Sequence, residues 1–338
     1  MKAKHLFSII LAGTAALGIF AIPAAAEAAA PIVIKFSHNQ AIGTPEDVGA
    51  QALRARLEEL AGDRVKVEVY PASQLGSLRE QVESTQMGVI HLTLQPASVI
   101  TPFVDDIKVI DFPYLLPADR EKIFGVLDGE LGAEGLEPLS RGGFKGMGYW
   151  FAGYKLFTTK KTPIHTPDDF KGLRIRVMDS PLLISQYGAW GATAVPIAYA
   201  EVYNALQQNV VDGQENPIQT IAQNNYQEVQ GEIVQSYHGT MTYILMANKK
   251  WFEGLDPELQ GFIIEAEKFG RVASRENYAL QEQSYLDKVK NAPGVNYYEL
   301  TAEEISLFRE ASKPVYDEHA TSEWQKQFVR KLQEAFGR

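Results

Sequence analysis

The chain of 338 residues contains no cysteine. That excludes disulfides, thiolate metal sites and a lipid anchor, which needs a cysteine at its cleavage point. The six histidines, His5, His38, His91, His165, His238 and His319, form no HExxH or other metal-ligand spacing. No GxSxG, GxGxxG or Walker loop occurs. The glycines at 142, 143, 146 and 148 lack the fingerprint spacing and read as a tight turn before a strand. No metal, cofactor or catalytic residue is therefore expected. Asp and Glu are abundant, so a two-carboxylate enzyme stays open, although no pair stands out. Positive charge is in deficit, with 32 Lys and Arg against 42 Asp and Glu and a formal net charge of −10. Such a surface repels nucleic acid and acidic membranes, so a bound anion needs a local cationic pocket. Beyond the N-terminal run no apolar stretch reaches spanning length, and the mature protein is not expected to be membrane-embedded.

What is present begins with an export signal. Lys2 and Lys4 precede an uncharged run of 17 residues, 6–22, and residues 24–26 and 28–30 are all alanine. A basic start, an apolar run and small residues make a signal peptide over 1–26, cleaved after Ala26 or Ala28. Pro31 disfavours cleavage after Ala30. The alternative is an uncleaved anchor, for which the run stands at the short edge of spanning length. Loss of Lys2 and Lys4 lowers the net charge by two more. About 310 residues remain, enough for two domains.

Ile32, Ile34 and Phe36 alternate as a strand, and so do Val65, Val67 and Val69, then Ile90, Leu92 and Leu94. Between them, Thr44 is an N-cap with Pro45 at N1, and Leu53, Leu57 and Leu60 carry a helical stripe to Gly62. Ser77 with Glu80 is a capping box opening a helix to about Met87. Strand and helix in alternation predict a doubly wound α/β unit, with its ligand beyond the strands' carboxyl ends. That places His38, Asn39, Gln74 and Gln95 near a cleft. Residues 163–235 repeat the alternation as a second lobe, with no flexible linker between. From Asp256 to about Val289 the pattern predicts one long helix, kinked at Gly270, or two helices broken there.

The segment 171–217 is the most informative. Leu173, Ile175 and Val177 alternate with Arg174 and Arg176, giving a strand with one apolar and one cationic face. Alternation alone ranks the two arginines equally. Val202, Ala205 and Leu206 suggest a short helix, and Val210 with Val211 a brief strand. Asp212 and Gly213 turn the chain, and Asn216 stands before Pro217, which restrains its backbone. A guanidinium on a strand and an amide on a restrained turn can converge on one anion, and arginine's planar fork matches a carboxylate.

On these residues the chain resembles the periplasmic solute-binding proteins of TRAP transporters, specifically the C4-dicarboxylate type. The segments that carry the resemblance are VIKFSH at 33–38, VKVEVYPASQLGSLRE at 65–80, IDFPYLLP at 110–117, GYWFAGYKLFTTKKTPIHTPDDFKGLRIRV at 148–177, AEVYNALQQNVVDGQENP at 200–217 and HGTMTYILMANKKWFEGL at 238–255. The resemblance implies an α/β fold of two lobes that close like a flytrap, with a long helix crossing both. Residues 31–152 plus 241–281 would form the first lobe, and 153–240 plus 282–338 the second.

It further implies that Arg176 clamps the ligand's carboxylate and that Asn216 is its polar partner. Lys155 is a second cation where many relatives carry Arg, Tyr199 is a ring wall, and Asn39 and Gln95 are first-lobe pocket positions. Tyr243 and Glu215 complete the expected set. The implied role is capture of a small organic acid in the periplasm, a C4-dicarboxylate first. The implied partner is an ion-driven TRAP permease with one small and one large integral subunit. A sugar acid or other monocarboxylate is the alternative ligand. A secreted enzyme with Glu215 as base is the alternative activity, and presentation to a receptor in place of a permease is a third role.

Overall fold

A computed structural model describes residues 30–337, and residues from Pro31 onward form one compact unit. The expected signal peptide and its cleavage points lie outside the described residues. The frame is a nine-stranded sheet: β1 (Ile32–His38), β2 (Val65–Tyr70), β3 (Leu92–Pro96), β4 (Phe144–Thr159), β5 (Arg174–Val177), β6 (Thr193–Pro196), β7 (Gly213–Pro217), β8 (Glu232–Asn248) and β9 (Asn296–Glu299). The order is β2-β1-β3-β8-β4-β7-β5-β6, with β9 beside β8.

Strands β1, β2 and β3 pair in parallel, as the strand–helix alternation requires. Strands β5, β6 and β7 do the same at the other end. The two parallel sets are joined by the long strands β4 and β8, which run antiparallel to each other through both. Residues 144–151 of β4 pair with the end of β8 beside β3, and residues 155–159 pair with β7 and the start of β8. Between those halves the β4–β8 register shifts twice, at Phe151/Tyr154 and Tyr154/Leu156. Gly153 there has φ +111°, and a Cβ at that position would lie 2.5 Å from the Tyr278 hydroxyl.

The sequence caps hold. Thr44 accepts from the Asp47 amide at the start of helix Pro45–Ala61, and Ser77 and Glu80 close a reciprocal box on helix Leu78–Gln86. The long segment is one helix, Pro257–Lys290, capped by Asp256. Gly270 does not break it. A Cβ on Gly270 would come 2.6 Å from the Gly49 carbonyl, so the two glycines let helices Pro45–Ala61 and Pro257–Lys290 touch. At about 1.5 Å per residue this helix spans roughly 50 Å. It is tied to the first half by Arg56 to Glu265 and to the second by Lys288 to the Ala222 carbonyl.

Two features depart from expectation. Val210 and Val211 are not a strand. The strand is β7, so Asn216 sits on a sheet element and not on a turn. The C-terminal helix Glu323–Ala335 returns to the first half, where Gln325 binds Asp105 and Lys331 binds Glu134. The larger apolar cluster is shared by both halves, from Ile34 and Leu53 to Phe157 and Phe308. A smaller one, with Leu156, Leu206, Ile221 and Tyr226, covers the other face of β7.

Candidate ligand-binding cleft

Tertiary structure separates the two arginines of β5. Arg174 is exposed and grips Asp212, with Nη2 2.9 Å from Oδ1 and Nε 3.1 Å from Oδ2. Arg176 is 2 % exposed. Its Nε donates to the Ile197 carbonyl at 2.9 Å, and among the described residues no carboxylate stands within ion-pair distance of it. Burial pushes its pKa down, against the nearby Tyr226, Glu215, Tyr199 and Tyr243. A guanidinium stays charged even so. Beside it opens a cleft of ≈ 740 Å³, walled by Ser73, Ser77 and Arg79 from the first half and by Arg176, Ile197 and Tyr199 from the second. A buried, unpaired cation at a cleft wall is a site for an anion.

Register assigns the remaining second-half residues to faces. Arg176 lies opposite Gln214, which lies opposite Thr158, and Asn216 lies opposite Leu156. Paired residues share a face and neighbours alternate. Arg176, Gln214 and Asn216 therefore share one face, and Lys155, Phe157 and Glu215 take the other. Asn216 is buried, and its Nδ2 donates to Gln214 Oε1 at 2.5 Å, while Gln214 Nε2 donates to Thr158 Oγ1 at 3.0 Å.

Lys155 and Glu215 were expected to meet the ligand, and they meet each other. Nζ stands 3.0 Å from Oε1, with side chains 2 % and 1 % exposed. Glu215 Oε2 also accepts from the Tyr187 hydroxyl at 3.0 Å and contacts His238 Nε2 at 2.8 Å. Burial works against the Glu215 charge, but Lys155 and His238 overcome it and hold its pKa well below the usual carboxylate range. Burial likewise opposes the Lys155 charge, and Glu215 with Asp111 reverses the effect, raising its pKa. Burial lowers the His238 pKa, so the neutral ring donates Nε2–H to Glu215 and receives Ser236 Oγ on Nδ1 at 2.6 Å. A carboxylate held this way is a poor proton acceptor, which counts against Glu215 as a catalytic base.

First-half residues form a second polar group. Tyr243 donates to Asn39 Oδ1 at 3.2 Å and accepts from Gln40 Nε2 at 2.6 Å. Asn39 Nδ2 is buried without a partner. Gln95 Nε2 donates to Thr93 and Gln81, and its Oε1 is buried without a partner. Tyr199 forms part of the wall and accepts from Asn224 Nδ2 at 2.8 Å. His38 is wholly buried, with Nε2 3.4 Å from Asp47. Among the described residues no His, Asp and Glu cluster could hold a metal ion, and no helix is long and apolar enough to cross a membrane.

Sequence reasoning passed over two buried polar residues, Gln214 and Glu46. Had 213–217 been read as a strand, Gln214 would have followed from its two-residue spacing to Asn216. Glu46 left no signal, because an acid in a first helical turn is ordinarily a solvated, dipole-matched residue. Here it is fully buried.

The chain matches the family described as bacterial extracellular solute-binding protein, family 7 (DctP), over residues 36–323. It is 34 % identical over 325 residues, 95 % of each chain, to the C4-dicarboxylate-binding periplasmic protein DctP of Rhodobacter capsulatus. A TRAP periplasmic solute-binding protein of Sulfurospirillum deleyianum with bound succinate superposes with a TM-score of 0.82 at 30 % identity, over 90 % of this chain and 99 % of that one. Another from Desulfovibrio salexigens with bound orotic acid gives 0.86 at 31 %, over the same shares. These relatives are solute-binding proteins and not enzymes, and the family works with membrane permease subunits. The chain belongs to the DctP family of TRAP-type periplasmic solute-binding proteins for small organic acids.

Proposed function

We propose that this protein captures a small organic acid by one carboxylate on Arg176 and delivers it, in the closed form, to an ion-driven permease of one small and one large integral subunit. The observation that carries the reading is the buried Arg176 guanidinium without an acid partner at the cleft wall. Lys155, the other cation expected there, is already neutralised by Glu215 on the opposite face. One free charge suits one carboxylate. Gln214, Asn216, Tyr199 and Tyr243 flank that charge, with Asn39 and Gln95 on the first half. The halves on either side of the register shifts in β4 act as the lobes, with the C-terminal helix belonging to the first. Export to the periplasm follows cleavage after Ala26 or Ala28.

Micromolar capture needs about 8 kcal/mol. Charge-assisted hydrogen bonds at about 1.5–3 kcal/mol each cannot reach that alone. Closure adds the rest by expelling water and bringing first-half polar groups onto the ligand.

A C4-dicarboxylate is the second reading, favoured by the likeness to the R. capsulatus protein. Its second carboxylate would have to rest on neutral donors or on Arg79 of the first-half wall, a cation already paired with Glu83. Calorimetry with succinate, malate, fumarate, glucuronate and 2-oxo acids tests both readings. Arg176→Ala should abolish binding of every acid that the wild type takes, Arg176→Lys should weaken it strongly, and Arg174→Ala should leave it unchanged. Wild-type affinity in Arg176→Ala would end the proposal.

A further inference from the structure

Glu46 is the second residue of helix Pro45–Ala61 and is 0 % exposed. Its Oε2 accepts from Gln219 Nε2 at 2.7 Å, a bond that joins the first half to helix Ile218–Gln223 of the second. Its Oε1 is buried with no partner, as are Gln219 Oε1 and Asn39 Nδ2. A buried polar atom left unpaired costs about 1–3 kcal/mol, more when charged. Tyr199 stands within electrostatic reach of both the Glu46 carboxyl and the Arg176 guanidinium. Tyr243 is likewise within electrostatic reach of both, and it holds Asn39. A buried carboxyl from one half, with one oxygen free, and an unpaired guanidinium from the other thus both lie within electrostatic reach of the same two tyrosines, with no salt bridge between them.

We propose that Glu46 sets the specificity of the cleft by receiving a protonated nitrogen on the solute, at the end opposite the carboxylate held by Arg176. This rests on the single-carboxylate reading above. The charges then cancel in two separate pairs, guanidinium with carboxylate and carboxylate with ammonium, and neither ion is left buried alone. A second carboxylate at that end would face Glu46 and be rejected, which is specificity by a misplaced like charge. Hydrogen bonding of a neutral group would leave the Glu46 charge without compensation.

Burial raises the Glu46 pKa to about 7 in the absence of solute, against the Gln219 hydrogen bond. The titratable groups facing it are Asp47 on its own helix, Tyr199, Tyr243 of β8, and Tyr278 and Tyr285 of the long helix. The four tyrosines are all shifted upward, so they stay neutral through the range in which Glu46 titrates. Discrimination against a second carboxylate should therefore weaken as pH falls below 7.

The test uses two probes of similar length, 4-aminobutyrate and succinate, with 4-hydroxybutyrate as the neutral third, titrated into wild type, Glu46→Gln and Glu46→Asp at pH 8. Wild type should bind 4-aminobutyrate at least about tenfold more tightly than succinate, a difference of about 1.4 kcal/mol. Glu46→Gln should erase that ratio, and at pH 6 the wild-type ratio should fall about fivefold. Glu46→Asp, which keeps the charge, should retain the order with weaker binding and serves if Glu46→Gln does not fold. Preference for succinate at pH 8, failure of 4-aminobutyrate to bind at about 10 mM, equal binding of 4-hydroxybutyrate, or an unchanged ratio in Glu46→Gln overturns the assignment. Arg176→Ala, run alongside, separates the two claims. If it still binds the probes, the carboxylate reading fails. If it loses them while the Glu46 variants show no change, only the present inference fails.

Discussion

Lys155→Met tests whether this lysine serves the fold or the ligand. The substitution keeps the length of the side chain and removes the charge. It leaves Glu215 1 % exposed and without its ion-pair partner. Removing one member of a buried pair costs about 3–5 kcal/mol. At about 2 °C per kcal/mol for a chain of this size, the melting temperature should drop by about 6–10 °C. Glu215→Gln alone should cost less, because Asp111 still attracts Lys155. The double variant should recover most of the loss, with a coupling energy of about 2 kcal/mol or more.

The pH dependence has a definite sign. Glu215 has a depressed pKa, so its contribution is present above its ordinary value of 4.5 and fades as pH falls through the folded one. Lys155 has a raised pKa, so its contribution is present below 10.5 and fades as pH rises beyond that. The gap between wild type and Lys155→Met should thus be flat from about pH 5 to 10 and close in acid. Urea unfolding at several pH values, with calorimetric titration of the same proteins, reads both effects. If Lys155→Met melts within about 2 °C of wild type, the structural account fails. If the double variant is stable but loses its ligand as completely as Arg176→Ala, Lys155 belongs to the binding site.

Other substitutions have defined outcomes. Glu46→Gln should gain stability with rising pH, because ionising a carboxyl whose pKa is about 7 in the fold costs up to about 3 kcal/mol that is absent below pH 4.5. Urea midpoints for the variant and wild type should separate at pH 8 and coincide near pH 4.5. Gly270→Ala places a methyl 2.6 Å from the Gly49 carbonyl. It should destabilise by about 1–3 kcal/mol despite alanine's better helix propensity, as chemical denaturation would read. Gly153→Ala combines a φ of +111° with a 2.5 Å clash against the Tyr278 hydroxyl. It should lower the melting temperature by several degrees, about 1–3 kcal/mol of destabilisation.

By itself the sequence determined the parts whose causes are local. The alternation of Ile32, Ile34 and Phe36, the Thr44 and Ser77 caps and the Asp256 start of the long helix are written in neighbouring residues, and all stand in the structure. The family segments added which arginine to prefer. Tertiary structure decided what depends on partners far along the chain. Arg174 and Arg176 share a strand face, and only Asp212, 38 residues away, draws one out to the surface and leaves the other alone. The same pleat set Lys155 and Glu215 behind the sheet, because β4 and β7 pair with Lys155 opposite Pro217 and not in a register that would turn it toward Arg176. Glu46 shows the limit most plainly. An acid in a first helical turn is ordinary in sequence, and its meaning comes from burial against Gln219, 173 residues downstream. Electrostatic cost depends on which atoms exclude water, and that is fixed only when distant elements close around the group.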